Sequence, residues 1–469
     1  MTGSIIKTLW HAWGSHRGRR ARPIALSLLA TTLIGAGPVE EPATIAEDFT
    51  VAVAGDVIYL RPMLATLEAR APDLLALLRD AGATFGNFET NVLDLTDFRG
   101  SPQAESGGTW MFAAPGIVAD IKAMGFDLVG MANNHATDWG VEGMNETNRR
   151  LDDAGIVHAG TGQTLAAARA PRYLDTGGGR IGMVSATSSF TPMSRAADPI
   201  GRVPGRGGVN AVRTTRTVLV PPATLTHLEN VARLAGGRNG RTGDHVELMG
   251  TRYAAGGDGA VTYSYAPNPA DITGNLRSVR QAHQNANLTL FSIHNHEPGN
   301  DSVRPANFAQ PLARAVIDSG ADMYLGHGPH QLRGIEIYKC RPIFYSLGNF
   351  AMMNNSLDDV PRDMYEQLAA TEGTTVPELL AGRNQRDFSN SAFFESVIAK
   401  VRFRGNRAVE ITLHPIDLGL TAKGADKGVP KMADAATGRR ILARLQHLSA
   451  PYGTRITIEN GVGMIRPCT

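Results

Sequence analysis

Short apolar runs alternate with amphipathic stretches along most of the chain. Thr50–Gly55 and Ala83–Phe88 are rich in β-branched, small or aromatic residues, which predicts two buried strands. Pro72–Asp80 carries leucines at helical spacing behind a proline in the first turn, which predicts a helix. The same patterns predict further helices at Pro115–Met124, Glu142–Ala154 and Phe308–Ser319, and further strands at Phe126–Met131, Asn287–Ile293, Asp322–Leu325, Ile335–Tyr338 and Ile343–Ser346.

This alternation of strands and helices predicts an α/β domain over residues 49–420, with largely parallel pairing and covered sheet faces. Two stretches interrupt it. Residues 190–260 are rich in Gly, Pro and Arg without a clear period and predict an insertion with long loops. Residues 357–386 are polar and partly helical, a candidate lid. We expect Phe393–Leu418 to add closing strands, and residues 421–469 to add a helix and strands to the same domain.

The N-terminal segment has the profile of an export signal. Basic residues without an acidic one precede the apolar run Ile24–Ala36, which is shorter than the roughly 20 residues of a bilayer-spanning helix. We therefore predict a signal peptide or N-terminal anchor over residues 1–37, a linker over 38–48, and a periplasmic or envelope location. An uncleaved anchor and a plain basic tail are the alternatives, and the membrane is a partner only in the first of these.

Composition and charge narrow the class of protein. A hydrophobic fraction of 42% with 19% charged residues suits a soluble domain with a sizeable core. The formal net charge of +2 gives no support for nucleic-acid binding. Two cysteines, Cys340 and Cys468, are too few for a thiolate metal cluster, and whether they pair stays open.

Candidate chemistry lies in short polar clusters that follow the predicted strands. Five of the 13 histidines fall in three such clusters: His135; His294 and His296; and His327 and His330. Because ligands gather beyond the carboxyl ends of strands in such sheets, we expect these clusters to meet.

Two carboxylates, Asp56 and Glu89, also end predicted strands, and Asn133-Asn134 precedes His135. Mixed imidazole and carboxylate ligands suit Mn²⁺, Fe²⁺ or Zn²⁺, and two such ions clamp the oxygens of a displacement at phosphorus. Each residue alone has a structural alternative, such as a helix cap or a turn. The sequence contains no P-loop, no Gly-x-Ser-x-Gly elbow and no His-Glu-x-x-His helix.

The ordered motifs resemble those of a known family. AVAGD, FGNFET, MANNHATDWG, SIHNHE, GHGPHQLRGIEIY and IFYSLGNF are similar to successive motifs of CapA-type poly-gamma-glutamate capsule synthesis proteins, and GGVNAVR is similar to their mid-chain segment. The resemblance spans about residues 51–350. It implies the fold of calcineurin-like metallophosphatases, a sandwich of two mixed β-sheets flanked by helices, with two divalent metal ions at the strand ends.

The resemblance also implies roles for individual residues. The implied metal ligands are Asp56, Glu89 (bridging), Asn134, His135, His294, His327 and His330. The phosphatase pattern Asp-x-His is here Asp56-Val57-Ile58, so one metal lacks its usual histidine, and His296 or Glu297 is expected to substitute as ligand or general acid. His135, His296 and Glu297 are the expected catalytic residues.

An arginine-rich run in the insertion suggests an anionic substrate. Asn210, Arg213 and Arg206 are the expected substrate-binding residues, since guanidinium groups bind carboxylate or phosphate in a bidentate way. The alternative is a solvated surface.

We therefore expect an exported hydrolase that cleaves a phosphoester or an amide-like bond, with an implied role in poly-gamma-glutamate or capsule assembly. The rival hypothesis is a non-catalytic envelope scaffold that keeps the fold and binds polymer or capsule synthase components.

Overall fold

Two large β-sheets and the helices that cover them make up most of the protein. The computed structural model describes residues 44–103, 110–257, 259–371 and 373–467, which belong to one compact unit, Pro42–Thr469. The predicted signal segment and Cys468 lie outside the described residues. Among the helices of the described ranges, none is long and apolar enough to cross a membrane.

Single strands and runs of up to four strands are separated by helices along the chain. In the described ranges the strands are β1 (Thr50–Ile58), β2 (Ala83–Phe88), β3 (Asn91–Val92), β4 (Phe112–Ala113), β5 (Leu128–Gly130), β6 (Val157–Ala159), β7 (Thr161–Gly162), β8 (Arg172–Thr176), β9 (Gly179–Thr187), β10 (Gly208–Val209), β11 (Thr214–Val220), β12 (Gly240–Thr242), β13 (His245–Leu248), β14 (Thr251–Ala255), β15 (Thr262–Pro267), β16 (Leu288–His294), β17 (Met323–His327), β18 (Ile335–Tyr338), β19 (Arg341–Phe344), β20 (Asn349–Met352), β21 (Glu395–Arg404), β22 (Arg407–Asp417), β23 (Lys431–Met432), β24 (Thr457–Glu459) and β25 (Val462–Ile465). The helices are α1 (Leu64–Arg70), α2 (Pro72–Arg79), α3 (Ile117–Ala123), α4 (Gly140–Asp153), α5 (Leu165–Arg169), α6 (Pro222–Ala235), α7 (Pro269–Asn285), α8 (Ala309–Asp318), α9 (Arg362–Gln367), α10 (Val376–Asp387) and α11 (Ala435–Ser449).

The first large sheet has the order β24-β25-β22-β21-β1-β2-β5-β6, with β20 also paired to β1 and β23 to β22. Strand β1 pairs in parallel with β2 and β20, and antiparallel with β21. The second large sheet has the order β18-β19-β17-β16-β9-β8, and its central strands β9, β16 and β17 are parallel. Both sheets are therefore mixed, as the family resemblance implies. The expectation of largely parallel pairing holds for the central strands and is wrong for the outer ones, such as β21 with β22 and β18 with β19.

The two sheets pack face to face over a shared apolar core. Val51 and Val53 of β1 join one buried cluster with Met183, Leu290 and Leu325 of the second sheet. Alternate residues of each strand face outwards, where α1–α3 cover the first sheet and α7 and α8 cover the second. This arrangement confirms the predicted α/β sandwich of two mixed sheets flanked by helices.

The insertion contains more regular structure than its sequence pattern indicates. Residues 214–267 form a third sheet, in the order β12-β13-β14-β11-β15, and α6 packs on it. The expectation of long loops is wrong for this part. Its strands are short and half exposed, so only a small core forms and neither helical nor strand periodicity is strong in the sequence.

The C-terminal part consists of the strands β21 and β22, the helix α11 and the strands β24 and β25. Between β20 and β21, the segment proposed as a lid holds α9 and α10. Phe388, which follows α10, packs into the core beside the first sheet. This places α10 next to the carboxyl ends of the central parallel strands.

Candidate functional site

Strand register brings polar residues of both sheets together at one edge of the sandwich. Asp56 of β1 lies between Asn87 of β2 and Asn349 of β20, its partners in the ladder. His294 and His327 end β16 and β17 and are register partners of each other. All five side chains are buried. The carboxyl ends of the parallel strands thus bring carboxylate, amide and imidazole side chains of both sheets together, as in other α/β folds.

Short loops after the strands supply the remaining groups. Glu89 follows β2, and His135 follows β5. His330 lies in the loop after β17 and has a left-handed backbone, with φ 57°. Gly328 in the same loop has φ 112°, and a Cβ there would lie 2.8 Å from the Asn295 carbonyl carbon. Only glycine fits this close approach of two backbone segments.

The Asp56 carboxylate is surrounded by imidazoles. Its Oδ2 lies 3.3 Å from His330 Nδ1, and its Oδ1 lies 3.7 Å from His294 Nδ1 and 3.9 Å from His327 Nδ1. Asn87 Nδ2 donates a hydrogen bond of 2.8 Å to Asp56 Oδ1. The carboxylate is therefore oriented by protein contacts while it faces three ring nitrogens.

Glu89 occupies the middle of the cluster. Its Oε1 lies 3.7 Å from His294 Nε2, 3.8 Å from His135 Nε2 and 4.0 Å from His330 Nε2. Among the described residues, neither carboxylate oxygen of Glu89 has a hydrogen-bond partner, and neither ring nitrogen of His327 has one. Buried polar atoms without partners are costly, and a bound cation satisfies them. The donor set therefore fits a metal centre.

Two groups of three donors converge closely enough for a metal ion each. One is Asp56, Glu89 and His294, and the other is Glu89, His296 and His330; in each group the donor atoms lie within 4.8 Å of one another. Glu89 belongs to both groups. Carboxylates and imidazoles together suit first-row divalent ions better than Ca²⁺.

Three histidines make a second contact that determines which ring nitrogen points into the site. His135 Nδ1 lies 2.6 Å from Asp138 Oδ2, and His296 Nδ1 lies 2.5 Å from Asn300 Oδ1. His330 Nδ1 lies 3.0 Å from Asn349 Oδ1. Since each oxygen is an acceptor, each Nδ1 donates, and Nε2 keeps its lone pair for a ligand.

Burial keeps the imidazoles neutral. It lowers the pKa of His135 and His296 to about 3, helped in both cases by His330, and it lowers the pKa of His327 to about 4. Burial, followed by the charge of Asp56, raises the pKa of Glu89. Burial also opposes ionisation of Asp56, but its hydrogen bond to His330 and the neighbouring histidines hold its pKa below the usual range. Neutral imidazole is the form that binds metal.

A cavity of about 310 Å³ gives access to this cluster. Its lining consists of Ile58, Met111, Asn134, His135, Ser189, Phe190, Thr191, His296, Asn300, His330, Asn354, Arg383 and Phe388. Of the predicted residues, Asn134, His135, His296 and His330 line it. Asp56, Glu89, His294 and His327 lie within the cluster but do not line the cavity.

The other predicted site residues lie against different partners. Glu297 Oε2 accepts hydrogen bonds from Ser188 Oγ at 2.7 Å and Ser189 Oγ at 3.3 Å, and it does not line the cavity. It belongs to neither three-donor group.

The expected substrate-binding residues of the insertion do not line the cavity either. Arg213 forms a bidentate pair with Asp271, with distances of 2.7 and 2.9 Å. Arg206 Nε donates to the Arg195 carbonyl at 2.8 Å. Asn210 is buried and donates to the Ser185 carbonyl at 2.8 Å. The geometry gives these three side chains structural contacts and brings none of them to the cluster.

Several residues of the site had no role in the sequence-based interpretation. Asn87 and Asn349 lie inside the motifs FGNFET and IFYSLGNF, so their position in those motifs was a usable signal. Asp138 lies three residues after His135, within the same motif. Arg383 comes from the lid segment, far along the chain, and nothing in its local sequence marks it.

The chain is similar in sequence to several known proteins. Residues 50–354 match the family described as bacterial capsule synthesis protein PGA_cap. The uncharacterized protein y4sH of Sinorhizobium fredii is 46% identical over 436 residues, covering 90% of this chain and 94% of that protein. The capsule biosynthesis protein CapA of Bacillus anthracis is 24% identical over 339 residues, covering 70% of this chain and 67% of that protein.

Among solved structures, a phosphatase from Mycoplasma pneumoniae covers 80% of this chain and 95% of its own, with 9% identity and a TM-score of 0.36. A likeness of this degree decides nothing about the fold. The family match covers more than half of the chain, including every residue of the two three-donor groups. The protein therefore belongs to the bacterial capsule synthesis family PGA_cap.

Proposed function

We propose that the protein is a metal-dependent hydrolase that acts on a phosphoester or an amide-like bond of an anionic substrate. The observation that carries the proposal is the shared carboxylate: Glu89 belongs to both three-donor groups, and His296 and His330 of the second group line a cavity of about 310 Å³. Two divalent ions held there would polarise the scissile group and make water a stronger nucleophile.

The residues of the chain have separable roles in this proposal. Asp56 and His294 on one side, and His296 and His330 on the other, would complete the two sites around Glu89. His327, whose Nδ1 lies 3.9 Å from Asp56 Oδ1, joins the first side. From the β5 loop, Asn134 would add a ligand, whereas His135, which the family resemblance implies as a ligand, would keep its Nε2 for proton transfer.

His135 is the best-placed proton carrier of the site. It lines the cavity, and its Nδ1 is held by Asp138 at 2.6 Å. A carboxylate behind an imidazole orients the ring and stabilises the imidazolium form, so Nε2 can take up or deliver a proton at the leaving group. His296, held by Asn300, lines the same cavity, but its Nε2 is needed for the second three-donor group.

We further propose that the protein is exported and takes part in capsule or poly-gamma-glutamate assembly. The basic N-terminal segment and the apolar run Ile24–Ala36 support export. Membership of the capsule synthesis family supports the biological role.

One experiment tests the enzymatic proposal. The purified protein is analysed for bound metal, reconstituted with Mn²⁺, Fe²⁺ or Zn²⁺, and assayed against a panel of phosphoesters and against poly-gamma-glutamate. We expect bound metal and turnover that His135→Ala abolishes. Polymer binding without turnover under every metal condition would instead establish the non-catalytic scaffold.

A separate experiment tests export. Cell fractionation followed by N-terminal sequencing should find a mature chain that begins between residues 37 and 48. An intact N-terminus in the cytoplasmic fraction would overturn this part of the proposal.

A further inference from the structure

A fully buried arginine lies between the loops that carry two of the candidate metal ligands. The β17 loop (residues 328–334) carries His330 and, three residues later, Arg333, which is 0% exposed. The β16 loop (residues 295–302) carries His296. Both histidines belong to the second three-donor group, so the spacing of the two loops determines whether its donors converge.

The guanidinium group of Arg333 holds the β16 loop by its backbone. Nε donates a hydrogen bond of 3.1 Å to the Ser302 carbonyl, and Nη2 donates one of 3.2 Å to the Gly299 carbonyl. Nη2 also makes a longer contact of 3.5 Å with the carbonyl of His296 itself. Because charged donors form stronger hydrogen bonds than neutral ones and the guanidinium fork is planar, these contacts fix both ends of the loop relative to one side chain.

The β17 loop is itself anchored on both sides of Arg333. The Arg333 backbone N–H donates to the Ser346 carbonyl at 3.1 Å, between β19 and β20. The neighbouring Gln331 donates from Nε2 to the Asn300 carbonyl, and Arg444 of α11 donates to Gln331 Oε1. Asn300 is the residue whose side chain orients the imidazole of the β16 loop. The β17 loop therefore provides a fixed support for the other loop.

The cost of burying Arg333 makes a purely stabilising role a poor explanation. Its Nη1 has no hydrogen-bond partner among the described residues. Burial lowers the pKa of Arg333 to about 10 although the charge of Glu297 opposes this shift, so the side chain stays charged near neutral pH. An apolar side chain of similar volume is often no less stable at such a position than a buried charge. The contacts with the ligand-bearing loop offer another reason for an arginine here.

We propose that Arg333 is a positioning residue of the second three-donor group: it holds the β16 loop against the β17 loop so that His296 and His330 converge on Glu89. This inference rests on the proposed function and adds to it the residue that determines how tightly the second ion is bound. The first three-donor group lies at strand ends, whose positions the two sheets determine. Its ion should therefore depend little on Arg333.

The test compares two arginines near the same loop. Arg333→Met keeps the apolar stem of the side chain and removes the three contacts with the β16 loop. Arg304→Met removes the same charge from an exposed position two residues after that loop. Both variants and the parent protein are freed of metal with a chelator, and their Tm is measured. Mn²⁺ is then titrated calorimetrically, and the bound ions are followed by electron paramagnetic resonance.

We expect the parent protein to bind two ions per chain, with the resonance signal of a magnetically coupled pair. Arg333→Met should weaken the second ion by about 10- to 100-fold, the loss typical of residues that orient metal ligands, and should abolish the coupled signal. The first ion should change by less than about threefold on the same grounds. Arg304→Met should change neither ion by more than about twofold, as is usual for surface substitutions.

Two results would overturn the inference. One is equal affinity for the second ion in the parent protein and a folded Arg333→Met. The other is equal weakening of both ions together with a lower Tm, because that pattern marks general support of the fold. Binding of a single ion that Arg333→Met leaves unaffected would also contradict the inference, while it would keep a metal site in the protein.

Two further measurements keep the test decisive. If Arg333→Met does not fold, Arg333→Lys keeps the charge but not the fork, and it should bind the second ion more weakly than the parent protein; unchanged affinity would contradict the inference. If the parent protein binds no metal, the proposed function fails, and hydrogen exchange of the metal-free proteins decides the role of Arg333. Faster amide exchange across residues 296–302 in Arg333→Met than in Arg304→Met would support it, and equal exchange would refute it.

Discussion

At the scale of single residues, the site is organised by side chains that hold its histidines from behind. Asp138, Asn300 and Asn349 each hold the Nδ1 of one histidine, so the ring nitrogens that face the cavity are determined by side chains outside the cluster. Such partners fix the tautomer and orientation of metal-binding imidazoles. Glu89 is buried, and both of its carboxylate oxygens lack a hydrogen-bond partner among the described residues.

Asp56→Asn should remove bound metal while leaving the fold intact. The carboxylate faces three imidazoles at 3.3–3.9 Å, and the amide removes its negative charge while preserving its size. We expect metal content, measured by elemental mass spectrometry, to fall at least about tenfold, with little change in Tm of the metal-free protein. Asp318→Asn, at an exposed contact with Lys339, is the control. Full metal content in Asp56→Asn would show that Asp56 is not a ligand.

Arg213→Ala should affect stability and leave substrate affinity unchanged. The change leaves the buried carboxylate of Asp271 with the longer contact to Arg169, at 3.5 Å. Because Arg213 itself is 41% exposed, solvent screening limits the loss to about 1 kcal/mol in urea denaturation. Arg216→Ala, which loses its contact over the Tyr263 ring and its interaction with Tyr265 but leaves no buried carboxylate behind, should cost less. A raised KM at unchanged stability would support the substrate-binding role expected from the sequence.

At the scale of elements, the site depends on a close approach between β1 and the start of β20, where only glycine fits. Gly55 precedes Asp56 in β1, and a Cβ at Gly55 would lie 1.9 Å from the Gly348 carbonyl oxygen. The same oxygen accepts a 2.9 Å hydrogen bond from the Asp56 backbone N–H. The junction of β1 with β20 thus determines where the Asp56 carboxylate lies.

Gly55→Ala should therefore damage both stability and the site. The added methyl group forces β1 and β20 apart, which we expect to cost about 1–3 kcal/mol in denaturant unfolding and to reduce bound metal. Gly382→Ala is a matched control, because a Cβ there meets nothing within 4 Å and the residue is an exposed position of α10. It should be neutral or slightly stabilising. If both variants behave alike, the close approach does not position Asp56.

At the scale of the whole molecule, the sandwich supplies the site and the third sheet is an addition to it. The first and last residues of that sheet are paired, Thr214 with Pro267, and the Asn268 backbone N–H donates to the Arg213 carbonyl at 2.8 Å. Its apolar cluster, built around Val218, is separate from the apolar clusters of the sandwich.

Replacement of residues 214–267 by a short glycine linker should leave a folded, metal-binding protein. The chain ends at the excision point are already adjacent, so closing them costs little entropy. We expect Tm to fall somewhat, because the deletion removes Tyr265. Its side chain packs into the apolar cluster around α7, and its backbone N–H donates a hydrogen bond to Asn307 Oδ1. Circular dichroism and metal analysis check the outcome. Loss of metal in a variant that remains folded would make the third sheet part of the site.

The sequence by itself determined the architecture and most of the cluster of candidate metal ligands around Asp56 and Glu89. Buried strands such as β1 and β16 have continuous apolar runs, and polar residues at their ends stand out against that background. Since parallel strands align their carboxyl ends, residues such as Asp56 and His294 were predicted to meet without knowledge of the register. These are properties of local pattern and sheet geometry.

The tertiary structure alone decided which polar groups complete the cavity. Arg213 and Arg383 are both arginines in irregular or partly helical segments, and nothing local distinguishes them. One pairs with Asp271 on the surface, and the other is buried beside His135. The difference arises from the packing of α10 against the first sheet, a contact between segments far apart in sequence. Long side chains reach their partners through such packing, which local periodicity does not encode.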